Sequence, residues 1–371
     1  MNRLLRRMVC CALLGAVALF VVSCGGGAPQ QCAVVSHSAE GFTLSENGLR
    51  VVDPRANGAG VNYRFGDSLS IGDTLVVLPG KPQRVVCMST TYVAFMAALG
   101  LEERIVGVSM GSYMMNPTVT ARMAEGLVKE IGSDMALDYE TIVSLRPDVV
   151  LAFATSGPKP EFFTRLAALG IPVVMVGDYM ERTPLARSEW VRAIGWLMGA
   201  EAKADSLQQA VAERYDAAKK LVEGVSEKPT VLLNTPWQET WYIPGGKTFL
   251  AEAIRDAGAS ILTAGHDDSP QSTPVSMEEA LALGMKANFW LHPGMATMLQ
   301  EIAGQNSLFT SFPSFKEGRV WNNNLRQNVN GGNDYFESGV MAPDVILEDL
   351  IAIFHPDLLP NHKFTYYRKL N

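Results

Sequence analysis

The chain has 371 residues, with 31 lysines and arginines against 38 aspartates and glutamates, which gives a formal net charge of −7. This acidic balance argues against a nucleic acid partner, because phosphate backbones are bound by basic surfaces. The five histidines show no close ligand spacing, so a bare zinc or manganese site is not expected.

The first residues have the pattern of an export signal. Three arginines precede the apolar run 8–22, and small residues follow it. The run of about 15 residues is shorter than the roughly 20 that span a bilayer, which favours a signal peptide at 1–23 over a permanent transmembrane helix. The segment "VVSC", ending at Cys24, resembles a bacterial lipobox. It implies lipidation of Cys24 and a membrane anchor made of acyl chains.

The residues after the predicted anchor have the composition of a tether. Residues 24–41 are rich in small and polar types, which predicts a flexible connection. With the anchor, this places the mature protein at a membrane surface, in the periplasm or cell envelope. Cys32 in the tether and Cys87 in a predicted buried strand are the other cysteines of the mature chain, and their spacing leaves open whether they pair.

The rest of the chain predicts a short β segment followed by two α/β lobes. Alternating residues with Asn-Gly turns predict hairpins over 42–79. Apolar strands then alternate with helices over 80–183 and again over 225–371, which is typical of parallel sheets covered by helices. Between them, 184–224 has helical spacing and predicts one long joining helix, unless its internal glycines interrupt it. The predicted fold class is therefore α/β, with two Rossmann-like lobes joined by one long α-helix and a ligand cleft between the lobes.

One phrase occurs in both predicted lobes. "DYETIVSLRPDVVLA" begins at Asp138 and "SMEEALALGMKANFWL" begins at Ser276. Each has a capping residue two positions before a glutamate, Glu140 or Glu278, and then a helix, a break and a strand. Acids favour helix N-termini through the macrodipole, so each glutamate also has a purely structural interpretation.

The order of these phrases resembles a known family. "RVVCMSTTYVAFMAALGLEERIVGVS", "DYETIVSLRPDVVLA", "LAALGIPVV", a long helix, "VSMEEALAL" and "IFHPDLLP" are similar to the helix-linked (class III) substrate-binding lipoproteins of bacterial ABC importers for iron-siderophore, haem and cobalamin. The resemblance covers roughly residues 80–360. It implies a non-enzymatic monomer that binds a metal chelate between its lobes, keeps no permanent cofactor and partners with ABC permease and ATPase subunits. It also implies that Glu140 and Glu278, with Asp138 and Glu279 beside them, dock into arginine-lined pockets of the permease.

The ligand is expected at the loops that follow the carboxyl ends of the strands. On the predicted strands these loops are 88–92, 109–114, 153–157, 234–242, 290–294 and 321–339. They offer flat aromatic faces for a macrocyclic ligand, neutral amides and one cation for an anionic chelate, although ordinary packing is the alternative for each tryptophan. The candidate ligand-binding residues are Thr91, Tyr92, Tyr113, Trp237, Trp241, Tyr242, Trp290, His292, Asn324 and Arg326.

The sequence does not decide whether the ligand is an iron complex or a corrinoid. Haem binders of the family often place a tyrosine just before the docking helix, where this chain has Ser133 and Asp134. This lowers the expectation of direct haem ligation, for which Tyr113 and His292 are the alternatives. A ferric siderophore or other iron complex is favoured, with cobalamin next.

Two segments approach catalytic motifs without completing them. "PGGKTF" has the end of a phosphate-binding loop, but Trp241 stands where the first glycine is required. "GHDDSP" sets a histidine beside two acids without a nucleophile motif. The alternatives to an importer component are an exported hydrolase, and a lipoprotein that stores or relays a metal complex without a permease.

Overall fold

The structure is a computed structural model that describes four parts of the chain, residues 39–52, 59–133, 135–153 and 161–371. The predicted signal peptide, the lipidation site Cys24, Cys32 and the tether up to residue 38 lie outside the described residues, as do Asp134 and residues 154–157 of a predicted cleft loop. Among the described residues, no helix has both the length and the apolar character needed to cross a membrane.

The strands and helices follow the alternation expected from the sequence. The strands are β1 (Phe42–Ser45), β2 (Gly48–Val52), β3 (Gly60–Phe65), β4 (Ser70–Ile71), β5 (Leu75–Leu78), β6 (Val85–Cys87), β7 (Ile105–Val108), β8 (Lys129–Glu130), β9 (Gly132–Ser133), β10 (Ala136–Leu137), β11 (Val149–Ala152), β12 (Val173–Met175), β13 (Thr230–Leu233), β14 (Trp241–Pro244), β15 (Ser260–Ile261), β16 (Ser272–Val275), β17 (Phe289–Leu291), β18 (Val320–Asn322) and β19 (Arg368–Lys369). The α-helices are α1 (Thr90–Ala98), α2 (Pro117–Ala124), α3 (Tyr139–Leu145), α4 (Glu161–Ala168), α5 (Pro184–Met198), α6 (Glu201–Lys220), α7 (Phe249–Asp256), α8 (Met277–Gly284), α9 (Leu299–Gln305), α10 (Pro313–Lys316) and α11 (Pro343–Phe354).

The N-terminal lobe is built on a parallel sheet with the strand order β12-β11-β6-β7-β8. Strands β6, β7, β11 and β12 carry apolar runs such as "VVC" and "VVLA" that are buried at every position. Such runs are expected in a sheet that is covered on both faces. The strand order reverses between β6 and β11, and ligands of open α/β sheets bind at the carboxyl ends beside such a reversal.

The C-terminal lobe repeats this plan. Its sheet has the order β15-β13-β17-β18-β19, in which β19 is antiparallel and the other strands are parallel. The order reverses between β13 and β17. The antiparallel pair β14-β16 lies beside this sheet and contributes to the same buried cluster as β17. Each lobe therefore presents one strand-order reversal where a ligand can bind.

The segment over 42–79, to which the sequence attaches no chemistry, extends the N-terminal lobe. It forms a sheet with the order β1-β2-β3-β5-β4. The Tyr63 hydroxyl donates to the Val173 carbonyl at 3.2 Å, and the Phe42 and Trp190 rings pack with their centroids 5.0 Å apart. This sheet shares one hydrophobic core with the N-terminal lobe.

The segment between the lobes is a pair of helices, not the single helix predicted over 184–224. Helix α5 ends at Gly199, whose φ of +73° is a left-handed conformation that favours glycine and stops the helix. Helix α6 then runs back along α5. A Cβ on Gly195 would lie 2.4 Å from the Cβ of Ala204, so glycine permits this close approach.

Helix α6 is the element that joins the lobes. Near its start, the Lys203 ammonium donates to the Leu99 carbonyl of the N-terminal lobe at 2.8 Å. Near its end, the Tyr215 hydroxyl donates to the Asp256 carboxylate of the C-terminal lobe at 2.8 Å. Its 20 residues span about 30 Å. The predicted fold class, two parallel-sheet lobes joined by a long helix, is confirmed, with a joining helix about half as long as the sequence predicts.

Candidate ligand-binding cleft

A cavity of about 750 Å³ lies between the lobes, at the carboxyl ends of both parallel sheets. Its position follows from the topology, because both reversals of strand order open at this edge. Each of the six loops expected from the strand ends contributes to its wall. The contributing residues include Met88 and Ser89 after β6, Met110 and Tyr113 after β7, Phe153 after β11, Asn234 and Trp237 after β13, His292 and Met295 after β17, and Asn323 and Asn324 after β18.

The described part of this cavity's wall is uncharged. No arginine, lysine, aspartate or glutamate lines it in the described ranges of the chain. Methionine, aromatic and neutral amide side chains dominate instead, a combination suited to a large, flat and weakly charged ligand. The amide-bearing residues are Asn234, Asn323, Asn324, Gln327 and Asn333.

Three of the six described non-glycine residues with positive φ lie at the cleft. Met110, Asn234 and His292 have φ values of 53°, 68° and 58°, which are uncommon for residues with a side chain. All three line the cavity and follow β7, β13 and β17 closely. Strained backbone tends to occur at ligand sites, where the surrounding structure holds it.

His292 is held as a neutral imidazole at the centre of the cleft. Its Nε2 lies 2.7 Å from the Tyr367 hydroxyl, and the two rings stack with centroids 5.5 Å apart. Burial lowers the pKa of His292 to about 3. The ring is therefore uncharged at neutral pH. Among the described residues, no cluster of three or more histidine, cysteine, aspartate or glutamate side chains is placed to hold a metal ion.

A second cavity of about 790 Å³ adjoins the first and was not expected from the sequence. Asn234, His292 and Phe336 line both cavities. The outer wall comes from residues 179–182, which follow β12, and from Glu40 and Gly41. The loop after β12 can be predicted to border the cleft, because it follows the carboxyl end of a parallel strand. No local sequence feature indicates that Glu40 and Gly41 reach the cleft.

Residues 326–337, which we call the inter-lobe strap, connect the lobes along one side of the cleft. The Asn328 amide donates to the Ser112 carbonyl at 3.0 Å. The Thr91 hydroxyl donates to the Phe336 carbonyl at 3.3 Å. These contacts hold the C-terminal strap against the N-terminal lobe.

Four of the candidate ligand-binding residues line the 750 Å³ cavity: Tyr113, Trp237, His292 and Asn324. Trp237 is the most open of these aromatic side chains, with 72% of its surface exposed. Asn324 is buried in the wall. These four remain candidate ligand-binding residues.

Three aromatic candidates are core residues, and their assignment to the ligand is corrected. Tyr92 packs in the N-terminal lobe, where its hydroxyl donates to the Val176 carbonyl at 3.0 Å. Trp241 and Trp290 are fully buried in the C-terminal lobe, and their ring nitrogens donate to backbone carbonyls. Trp241 and Trp290 lie within strands, where the alternation of side chains turns them towards the core, whereas Tyr92 is a buried residue of helix α1.

Three further candidates lie outside the walls of both cleft cavities. Thr91 is occupied by its contact with the strap. Tyr242 is exposed on β14, beyond the lining of either cavity. Arg326 forms an ion pair with Asp334 at 3.1 Å and lines a separate cavity of about 280 Å³. Arg326, the cation expected to meet an anionic chelate, therefore lies outside both cleft cavities.

The two glutamates of the repeated phrase have equivalent positions. Glu140 lies in the first turn of α3 and Glu278 in the first turn of α8, and both are exposed. A side chain caps each of these helices. The Asp138 carboxylate accepts from the Thr141 N–H at 3.0 Å, and the Ser276 hydroxyl accepts from the Glu279 N–H at 3.1 Å. Neither Glu140 nor Glu278 takes part in an ion pair with another described residue.

The incomplete catalytic motifs have structural roles. Thr248 of "PGGKTF" caps α7, and Lys247 pairs with Asp268 of "GHDDSP" at 2.8 Å. The His266 carbonyl accepts from the Gly246 N–H at 3.1 Å. The two motifs therefore stabilise each other as neighbouring loops.

A sequence profile described as periplasmic binding protein matches residues 85–322, more than half of the chain. The chain belongs to the periplasmic binding protein family. An uncharacterised lipoprotein of Methanocaldococcus jannaschii is 24% identical over 310 residues, which cover 81% of this chain and 72% of that protein. A cobalamin-binding protein of Halobacterium salinarum is 29% identical over 217 residues, 56% of this chain and 53% of that protein. An uncharacterised ABC transporter substrate-binding lipoprotein of Bacillus subtilis is 27% identical over 182 residues, 48% of this chain and 55% of that protein.

Solved structures of periplasmic binding proteins share the fold. A periplasmic haem-binding protein of Pseudomonas aeruginosa matches with a TM-score of 0.59 and 19% identity, covering 78% of this chain and 98% of that chain. A periplasmic haem-binding protein of Vibrio cholerae matches with a TM-score of 0.56 and 17% identity, covering 72% of this chain and 98% of that chain. The resemblance to helix-linked binding proteins is thereby confirmed.

Proposed function

We propose that this periplasmic binding protein is the substrate-binding component of an ABC importer and captures a metal chelate with a large organic ring in the cleft between its lobes. The wall of the cavity, which is aromatic, rich in amides and uncharged in the described residues, carries this proposal. The cavity volume of about 750 Å³ lies within the range of small-molecule and cofactor sites. Trp237 and Tyr113 supply aromatic faces for such a ring.

Among metal chelates, a corrinoid fits this wall better than an anionic ferric siderophore. Arg326, the cation expected for an anionic chelate, is paired with Asp334 outside the cleft, and Arg182, which lines the adjoining cavity, is paired with Glu40 at 3.7 Å. The amide groups of the wall complement the neutral amides at the edge of a corrinoid ring. The Halobacterium relative is a cobalamin-binding protein, which supports the same ligand class. Haem is the second candidate, because His292 lines the cavity as a neutral imidazole, and its Nε2 would have to exchange the Tyr367 hydroxyl for haem iron.

Delivery to the permease is assigned to Glu140 and Glu278. Both are exposed at equivalent helix starts, one in each lobe. Exposed ion pairs are worth about 0.2–1 kcal/mol each, which suits a partner that arrives and leaves in every transport cycle. Lipidation at Cys24 would keep the protein near the membrane.

Ligand titration of the full-length protein in detergent tests the proposal. Tryptophan fluorescence is followed while cyanocobalamin, haemin and a set of ferric siderophores are added separately. We expect saturable quenching by cyanocobalamin at micromolar or lower concentrations. This corresponds to a binding free energy of roughly −8 kcal/mol or more favourable. The absence of binding by every chelate would overturn the proposal. Turnover of an ester or peptide substrate that depends on His266 would instead support an exported hydrolase.

A further inference from the structure

The wall of the cleft contains a buried acceptor without a donor. Asn324 is 1% exposed and lines the cavity. Its Nδ2 donates to the Ala296 carbonyl at 3.2 Å, which fixes the orientation of the amide. Its Oδ1 has no hydrogen-bond partner among the described residues. A buried carbonyl oxygen left without a donor is destabilising, so a bound group that donates a hydrogen bond to it is favoured.

The neighbouring Asn322 differs in this respect. Its Nδ2 donates to the Gly294 and Ala296 carbonyls at 3.0 and 2.7 Å. Its Oδ1 accepts from the Asn323 N–H at 2.9 Å. Asn322 is fully buried, does not line the cavity and is satisfied within the protein. The unpaired acceptor is therefore particular to the residue that borders the cleft.

Resting on the proposed function, we infer that the Oδ1 atom of Asn324 is a specificity-determining acceptor that selects chelates carrying primary amides over the same ring carrying carboxylates. An amide edge brings N–H donors that satisfy this oxygen. A carboxylate edge brings further acceptors and a negative charge. No cation lines this cavity in the described part of the chain to offset that charge.

The class of group that the ligand presents to Asn324 follows from the same geometry. An N–H donor at hydrogen-bond distance from a buried neutral oxygen gains a bond that water cannot provide once the cleft is filled. The other amides of the wall, on Asn323, Gln327 and Asn333, surround the same cavity and can pair with both donors and acceptors. Discrimination therefore depends mainly on Asn324.

A matched pair of corrinoids tests this inference. Dicyanocobinamide and dicyanocobyrinic acid contain the same corrin ring, the first with amides and the second with carboxylates. Their affinities are measured for the full-length wild-type protein, for Asn324→Leu and for Asn322→Leu, which removes a buried asparagine that does not border the cavity. Circular dichroism and thermal unfolding establish that each variant is folded.

We expect the wild-type protein to prefer the amide form by at least tenfold. Asn324→Leu should weaken binding of the amide form about three- to tenfold and leave the carboxylate form nearly unchanged. Asn322→Leu should retain the wild-type preference. An undiminished preference in a folded Asn324→Leu variant would overturn the inference while the proposed function stands. Failure of the wild-type protein to bind either corrinoid would overturn both the corrinoid assignment and the inference, whereas equal binding of the two would overturn the inference alone.

If Asn324→Leu does not fold, Asn324→Ala provides the second variant. Alanine removes the amide oxygen and offers no acceptor in its place. The same loss of preference is expected from it. A folded Asn324→Ala variant with wild-type preference would contradict the assignment.

Discussion

The carboxylate of Glu337 in the C-terminal lobe accepts a hydrogen bond from the backbone N–H of Met115 in the N-terminal lobe, at 2.8 Å. Glu337 is 3% exposed, and burial raises its pKa to about 7. A side chain that joins the two lobes beside the cleft therefore changes its charge near neutral pH. The hydrogen bond between the lobes is therefore linked to the protonation of Glu337.

The stability of the protein should fall as the pH rises through the range in which Glu337 titrates. The ordinary pKa is 4.5, so the unfolded chain loses this proton before the folded chain does. The stabilisation is complete below about pH 4.5 and is lost as the pH approaches about 7. At about 1.4 kcal/mol per pKa unit, the contribution is up to about 3 kcal/mol.

Urea unfolding at several pH values checks this contribution. Glu337→Gln cannot ionise but retains an oxygen that accepts from Met115. The difference in unfolding free energy between Glu337→Gln and the wild-type protein should grow in favour of the variant as the pH rises. A difference that does not vary with pH would show that Glu337 does not titrate in this range.

Replacement of the two exposed glutamates should separate transport from binding. In Glu140→Ala and Glu278→Ala, uptake should fall because a permease contact is lost, with the greatest loss in the double variant. Ligand affinity should stay within about twofold, because neither residue lines the cleft. The exposed Glu46, in the turn between β1 and β2, provides the control, and Glu46→Ala should transport normally. Weakened affinity with normal uptake would contradict docking by these residues.

The fluorescence response to a bound chelate should come mainly from Trp237. This indole is exposed in the cavity wall, and Trp237→Phe should remove most of the ligand-dependent quenching. Trp237→Ala should also weaken binding by about three- to tenfold, because an aromatic contact of about 0.5–1.5 kcal/mol is lost. Trp196 packs against Phe65 away from the cleft, so Trp196→Phe is the control. Quenching that persists in Trp237→Phe and disappears in Trp196→Phe would show that the ligand binds elsewhere.

The antiparallel helix pair should be sensitive to one added methyl group. Gly195→Ala places a Cβ 2.4 Å from Ala204 Cβ, and overpacking of this kind typically destabilises by about 1–3 kcal/mol. Gly224→Ala is the matched control, since a Cβ there meets no atom within 4 Å. Urea unfolding should show a loss for the first variant and little or no loss for the second. Equal stability of the two variants would mean that α5 and α6 do not approach as closely as described.

The position of the cleft could be predicted because the ends of the strands can be identified in the sequence. Apolar runs and their turns identify the parallel strands, and topology then brings their loops together. The sequence did not predict which side chains enter the cleft. Trp241 and Trp290 face the core. A shift of one residue at a strand boundary reverses the direction of a side chain, and the sequence does not define these boundaries to one residue.

Longer-range pairing was also invisible to local patterns. Arg326 looked available for an anion, yet Asp334 folds back to pair with it. The break between α5 and α6 was partly foreseeable, since Gly199 is the residue type that ends helices. Helical periodicity continues on both sides of that break, so spacing alone did not reveal that the chain reverses direction.

The most direct test of the central claim is a crystal structure of the protein with cyanocobalamin. We expect the corrin ring between the lobes, against Trp237 and with an amide donor near Asn324, and only a small change in lobe orientation, because the joining helix α6 and the inter-lobe strap limit hinge motion. A ligand bound outside the inter-lobe cleft, or a cleft that stays empty at saturating ligand, would contradict the account.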